Sequence, residues 1–211
     1  MRVGILGSGL MGSKLGTLFA RAGHEVVFSY ARTESKLAKL AHDAGKHAQT
    51  GTPREAAQDA DALLLAVHWS RVDDVLEKAG DVSGKVIVTC SLPMNKADTA
   101  LVIGHTSSGA EALAEKVPKA RVVAAFSTVP SEVLFTLRRK PSLVYCGDDA
   151  GAKTVAAQLI REVGFDPIDA GPLRMARYTE PFSLLVAQMA YEGDKGPEVA
   201  YRFEWFSNGA G

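Results

Sequence analysis

The chain predicts an α/β fold: a doubly wound, mainly parallel sheet with helices on both faces and a C-terminal helical segment. Three observations carry this expectation. Short apolar runs alternate with amphipathic stretches along most of the length, the pattern of strands joined by crossover helices. The first run, Arg2-Val3-Gly4-Ile5-Leu6, enters a glycine-rich turn, Gly7-Ser8-Gly9-Leu10-Met11-Gly12, that opens a helix. With 211 residues and 46% hydrophobic content, the chain can bury one full core. The expected organisation is a single domain over 1–211, with 174–205 as a C-terminal helical appendage.

The elements follow in order. Leu15, Leu18, Phe19 and Ala22 recur at helical spacing after the turn, Gly23-His24 ends that helix, and Glu25-Val26-Val27-Phe28-Ser29 is the second strand. Thr52-Pro53-Arg54-Glu55 supplies a cap, a proline at the first helical position and a capping-box glutamate. Further strands are expected at 62–67, 85–89, 121–126, 142–146 and 166–169, separated by helices over 70–79, with Ser70 as cap, 108–117 and 150–163. Residues 174–192 place Met175, Tyr178, Phe182, Leu185, Val186 and Met189 near heptad spacing, so this helix must bury a broad stripe, and Pro181 predicts a kink or a late start. The tail Asn208-Gly209-Ala210-Gly211 has the composition of a disordered end.

The glycine turn is a dinucleotide site in its full strand–turn–helix–strand context. Gly7 permits the sharp turn, Gly9 lets backbone approach a pyrophosphate, and Gly12 lets the helix pack against the strand, while the helix N-terminus offers N–H groups to the phosphates. The Rossmann-type fold follows. At the end of the second strand an NAD site carries a carboxylate for the ribose hydroxyl, which would repel a 2′-phosphate. Here Ser29-Tyr30-Ala31-Arg32-Thr33 has none. Arg32 can fork onto a phosphate, Thr33 can donate a hydroxyl hydrogen bond, and Lys36 stands one helical turn on, so the cofactor reading is NADP(H).

Composition narrows the class. Twenty-four basic residues balance 24 acidic ones, leaving no global field for nucleic acid or an anionic membrane surface. The first strand begins at residue 2 and no apolar run approaches the length of a membrane span, so the expected location is cytoplasmic. Cys90 and Cys146 sit in apolar runs as reduced core thiols. No His, Cys and carboxylate grouping has metal-ligand spacing, and His24, His42, His47 and His105 are scattered singly without an assigned role.

Ala60-Asp61 leading to Leu65-Ala66-Val67-His68-Trp69, then Ala124-Ala125-Phe126-Ser127-Thr128-Val129-Pro130, Gly147-Asp148-Asp149, and Asp169-Ala170-Gly171-Pro172-Leu173 with Arg177 and Glu180, together resemble the coenzyme F420-dependent NADP reductase family. The resemblance spans essentially the whole chain. It implies a small Rossmann protein, usually a homodimer, that passes hydride between NADPH and a deazaflavin. It further implies that Ser8, Leu10 and Met11 lie on the phosphates, that Arg32, Thr33 and Lys36 lie on the 2′-phosphate, and that Val67, His68 and Ala125 line the nicotinamide ribose and ring. The chain departs from the family pattern at His68, commonly Pro, and at Ser127, more often Asn or His.

Hydride transfer between two rings needs alignment and exclusion of water more than a catalytic acid. His68 is the natural proton donor for a carbonyl or imine substrate, yet a loop histidine packed at the cofactor explains it equally. Ser91, Ser127 and Thr128 can hydrogen-bond a carboxamide or substrate, or cap the next segment. The cluster Arg138-Arg139-Lys140 can hold an anionic substrate tail, or be a solvated loop. The expected function is an NADPH-dependent oxidoreductase acting on a small hydride acceptor, a deazaflavin or a relative. Its alternatives are an imine, carbonyl, flavin or metal-chelate reductase, and a non-catalytic NADPH-sensing module.

Overall fold

In the computed structural model the chain runs β1 (Arg2–Leu6), α1 (Leu10–Arg21), β2 (Glu25–Ser29), α2 (Glu34–Ala44), β3 (Ala48–Thr50), α3 (Pro53–Gln58), β4 (Ala62–Leu65), α4 (Val72–Ala79) and β5 (Val86–Thr89). It continues through α5 (Gly109–Lys116), β6 (Arg121–Ala124), β7 (Ser142–Gly147), α6 (Ala150–Glu162), β8 (Asp166–Asp169) and α7 (Ala176–Tyr191). The structure describes residues 1–137 and 139–206, so Arg138 of the basic cluster and the tail 208–211 lie outside the described residues.

The strands form one sheet in the order β3-β2-β1-β4-β5-β6-β7-β8. Every neighbouring pair is parallel except β6 and β7. Both faces are covered because alternate residues feed two cores. Val3, Ile5 and Phe28 join Leu15 and Phe19 of α1 and Ile160 of α6 on one side. Leu6, Leu63, Leu65 and Ile87 join Val75 of α4 and Leu113 of α5 on the other. Each such buried Leu, Ile or Phe contributes about 1.5–3 kcal/mol of transfer free energy. The doubly wound, mainly parallel architecture is therefore the one expected, and the order reverses at β1/β4, where the crevice opens.

The differences are local. β3 pairs only three residues with β2 at the sheet edge, too short a run to stand out in a polar stretch. The 70–79 helix does not begin on a Ser70 cap. His68 accepts from the Ser70 N–H to cap a 3-10 turn over Trp69–Arg71, and α4 starts at Val72. The appendage is helical only to Tyr191; 192–206 is irregular, and residues 201–203 reach β7, where Ser142 N–H donates to the Tyr201 carbonyl at 2.9 Å and the Phe203 N–H to the Ser142 hydroxyl at 2.9 Å. Pro181 neither delays α7 nor precedes it: the helix starts five residues earlier, at Ala176, behind a 3-10 turn over Leu173–Met175. Only one face of α7 is buried, through Ala176, Glu180, Ser183, Val186 and Ala190, while Tyr178, Leu185 and Met189 of the expected stripe are more than half exposed.

Candidate functional site: a dinucleotide crevice and an apolar cleft

Gly7 turns the chain off β1 with φ of 115°, and a Cβ there would strike the Ala66 carbonyl; at Gly12 it would strike the carbonyl of Gly7. These two glycines are demanded by packing. Gly9 is different, since a Cβ there meets nothing within 4 Å. Its bare backbone faces the open crevice, as a pyrophosphate-binding position must. The N–H groups of Gly9, Leu10, Met11 and Gly12 find no acceptor among the described residues. Ser8 and Ser29 have other work. Ser8 is buried, its hydroxyl donating to the Ser29 carbonyl at 2.8 Å and its N–H to the Tyr30 carbonyl at 3.3 Å, and the Ser29 hydroxyl donates to the Ile5 carbonyl at 2.7 Å. They stitch the ends of β1 and β2 together instead of pointing side chains at a ligand.

Beyond β2, Thr33 caps α2 by accepting from the Lys36 N–H at 3.3 Å. Arg32 and Lys36 are exposed and enter no ion pair among the described residues. Two side-chain cations beside a row of unpaired N–H donors fit a dinucleotide carrying an extra phosphate.

Across the crevice the loops after β4, β5 and β6 are locked by their own hydroxyls and rings. The Ser91 hydroxyl donates to the Val67 carbonyl at 2.7 Å and accepts from the Val67 N–H at 3.3 Å, which clamps two loops and accounts for Ser91 without a ligand. His68 is likewise occupied. Its Nδ1 accepts from Ser70 N–H at 3.2 Å, which assigns the proton to Nε2, and Nε2 lies 3.1 Å from Asp98 Oδ1 and 3.3 Å from the Asn95 carbonyl. The Asp98 partner, 30 residues away, is invisible in the sequence pattern. His68 therefore holds the 94–101 loop and is not aimed at a substrate. Ala125 is fixed by donating to the Thr89 carbonyl at 3.0 Å. Phe126, fully buried, adopts a left-handed φ of 67°, a costly conformation for an aromatic residue that bends the chain into Ser127 and Thr128. The two differ in fate: Thr128 Oγ1 pairs with the Tyr201 hydroxyl at 2.7 Å, whereas Ser127 Oγ lies 3.2 Å from the hydroxyl of Ser183 on α7, which donates its proton to the Thr179 carbonyl at 2.8 Å.

Between these loops and α7 lies a cleft of about 230 Å³ lined by Leu10, Met11, Leu92, Phe126, Ser127 and Ser183, with Cys90, Val129, Val186 and Tyr191 around them. Among the described residues no charged side chain lines it. Burial pushes the Cys90 thiol up to about 12, so it stays protonated, and burial with the Glu132 carboxylate raises the Tyr191 phenol to about 12 as well. The sequence did not single out Ser183, and it marked Arg177 and Glu180 only through the resemblance, without showing that they fasten α7. Arg177 grips Glu111 of α5 bidentately at 2.6 and 2.9 Å, and the Glu180 carboxylate accepts the Gly109 and Ala110 N–H groups at 2.9 and 3.0 Å. Burial outweighs those two bonds and pushes Glu180 up to about 7. Among the described residues no three His, Cys, Asp or Glu side chains converge as metal ligands.

This crevice and cleft are those of a Rossmann-type, doubly wound dinucleotide-binding fold. Residues 2–93 match the family described as NADP oxidoreductase, coenzyme F420-dependent. Over 185 residues, 87% of this chain, it is 31% identical to metalloreductase STEAP3 of Rattus norvegicus, and over 86% it is 26% identical to metalloreductase STEAP2 of Homo sapiens. In both cases it spans only 36% of the relative's length. Among solved structures, a provisionally named F420-dependent NADP-reductase from Arthrobacter sp. FB24 superposes with a TM-score of 0.86 at 21% identity, covering 97% of this chain and 100% of that one. A reductive aminase from Aspergillus terreus in complex with NADPH and ethyl-5-oxohexanoate matches with a TM-score of 0.67 at 20% identity, over 89% of this chain and 61% of its own.

Proposed function

We propose that the protein is an NADPH-dependent reductase that passes hydride to the ring of a small acceptor of the deazaflavin kind. The observation that carries this reading is the pairing of two halves of one crevice. On one side stand unpaired N–H donors at Gly9–Gly12 with Arg32 and Lys36; on the other is an apolar cleft without a charged side chain. Phosphates suit the first half. A flat neutral ring suits the second. The family matched by residues 2–93 supports NADP(H) and a deazaflavin acceptor, and the NADPH complex of the aminase supports the placement of the cofactor.

The dinucleotide, when bound, supplies the hydride. The chain's own residues bind and orient: Gly9 to Gly12 and Arg32 hold the phosphates, Val67 and Ala125 border the nicotinamide end, and Leu10, Met11, Phe126 and Val186 exclude water from the transfer. His68 contributes no proton because both ring nitrogens are already engaged. One observation favours a carbonyl or imine acceptor as a second reading. Ser127 lines the cleft, and its only side-chain polar contact among the described residues is a long one, 3.2 Å to Ser183, whose own proton goes to the Thr179 carbonyl at 2.8 Å, so the Ser127 hydroxyl can turn to donate to a heteroatom there. The exposed Tyr178, Leu185 and Met189 of α7 support a homodimer, and two unpaired thiols, Cys146 buried and Cys90 partly so, support a reducing, cytoplasmic setting. No helix among the described residues is long and apolar enough to cross a membrane.

The test is NADPH oxidation by the purified protein against a deazaflavin, free flavins, quinones, ferric chelates and imines. Turnover with the deazaflavin well above the others is expected. Turnover with ferric chelates or imines alone would transfer the assignment to those acceptors, and none with any acceptor would leave an NADPH-sensing module.

A further inference from the structure

Tyr30 is the one residue of the β2 turn that combines an unusual backbone with a long-range anchor. Its φ is 55°, a left-handed conformation that a tyrosine adopts only when its surroundings compel it. Its carbonyl receives the Ser8 N–H of the glycine turn at 3.3 Å. Its hydroxyl donates to Asp74 Oδ2 on α4, across the crevice. The ring lies beneath Lys78, whose ammonium is 5.4 Å from the centroid and 2.9 Å from the same Asp74. Asp74 is thus a carboxylate facing the adenosine end of the site with its charge already matched by Lys78, which keeps it from repelling a phosphate.

We propose that the Tyr30–Asp74 bond is a positioning device for cofactor choice, holding the β2 turn in the bend that presents Arg32 to the ribose 2′-phosphate. It rests on the reading of Arg32 as the 2′-phosphate ligand. Left to itself, residue 30 relaxes to negative φ and Ala31, Arg32 and Thr33 swing with it, because a change at one backbone dihedral redirects every residue that follows. Neither Tyr30 nor Asp74 contacts the phosphate itself. They act through the backbone, so their loss lowers discrimination and leaves the pyrophosphate cradle intact. The raised Tyr30 phenol, pushed to about 12 by burial and by Asp74, keeps the donor protonated at any pH the protein meets.

The experiment titrates NADPH and NADH into five proteins: the parent, Tyr30→Phe, Asp74→Ala, the Tyr30→Phe/Asp74→Ala double variant and Arg32→Ala. Tyr30→Phe keeps the ring over which Lys78 lies and removes only the hydroxyl; Asp74→Ala, on partly exposed α4, serves if Tyr30→Phe fails to fold. The expected result is an NADPH dissociation constant raised about fivefold to tenfold in Tyr30→Phe and in Asp74→Ala, NADH affinity unchanged, and no further loss when the two are combined. An unchanged NADPH/NADH ratio in both variants, with Arg32→Ala abolishing the preference, overturns the positioning role alone. A preference that survives Arg32→Ala overturns the phosphate reading beneath it, and this proposal with it.

Discussion

Arg32 is exposed and unpaired among the described residues, and the proposed function makes it the ligand of the 2′-phosphate. Arg32→Ala is expected to weaken NADPH at least tenfold, about 1.4 kcal/mol, with NADH nearly unaffected, as read by fluorescence titration. Gly9→Val should abolish dinucleotide binding while the protein melts normally, because the new side chain meets no protein atom. If Gly9→Val binds NADPH like the parent, the glycine turn is not the phosphate site. His68→Ala should change turnover modestly and leave its pH dependence flat near neutrality, whereas a roughly hundredfold fall with binding intact would make it a general acid after all. These residues were legible because motif spacing is local. Asp98 against His68, Tyr201 against Thr128 and Ser183 against Ser127 were not, since each pair is 30 to 73 residues apart and only the fold brings it together.

Among the elements, α7 is the one whose attachment governs the cleft. Its Glu180 is buried and held near neutrality by desolvation, against about 4.3 for an exposed glutamate in an unfolded chain. A raised carboxylate pKa means the folded state keeps a proton that the unfolded state has lost. Stability contributed by this group therefore falls as pH rises from about 4.5 to about 7, by on the order of 3–4 kcal/mol, and is level above that. Glu180→Gln should flatten that fall in denaturant melts at pH 5 and pH 7.5. An equal pH dependence in both proteins would contradict it. The sequence showed α7 by its apolar spacing and nearly all the strands by their apolar runs. It did not show that α7 would bury a glutamate, because that depends on the N-terminus of α5 lying opposite. β3 escaped because three polar-leaning residues carry no periodicity, and the reversed direction of β7 because an apolar run does not record which way it points.

For the molecule as a whole, the doubly wound order follows from buried strands and crossover helices, and it fixes where a ligand must lie before any side chain is considered. What it leaves outside is the apolar outer face of α7. Tyr178, Leu185 and Met189 on that face predict a dimer by light scattering at micromolar concentration, and a monomer there would remove the face from the account. The rest of the account stands on one property of the crevice, that it distinguishes a phosphorylated ribose from a free one. The most direct measurement is the ratio of dissociation constants for NADH and NADPH with the unmodified protein at moderate ionic strength. A ratio of about ten or more is predicted, since at least one charge-assisted contact separates the two ligands. Equal constants would contradict the NADP assignment.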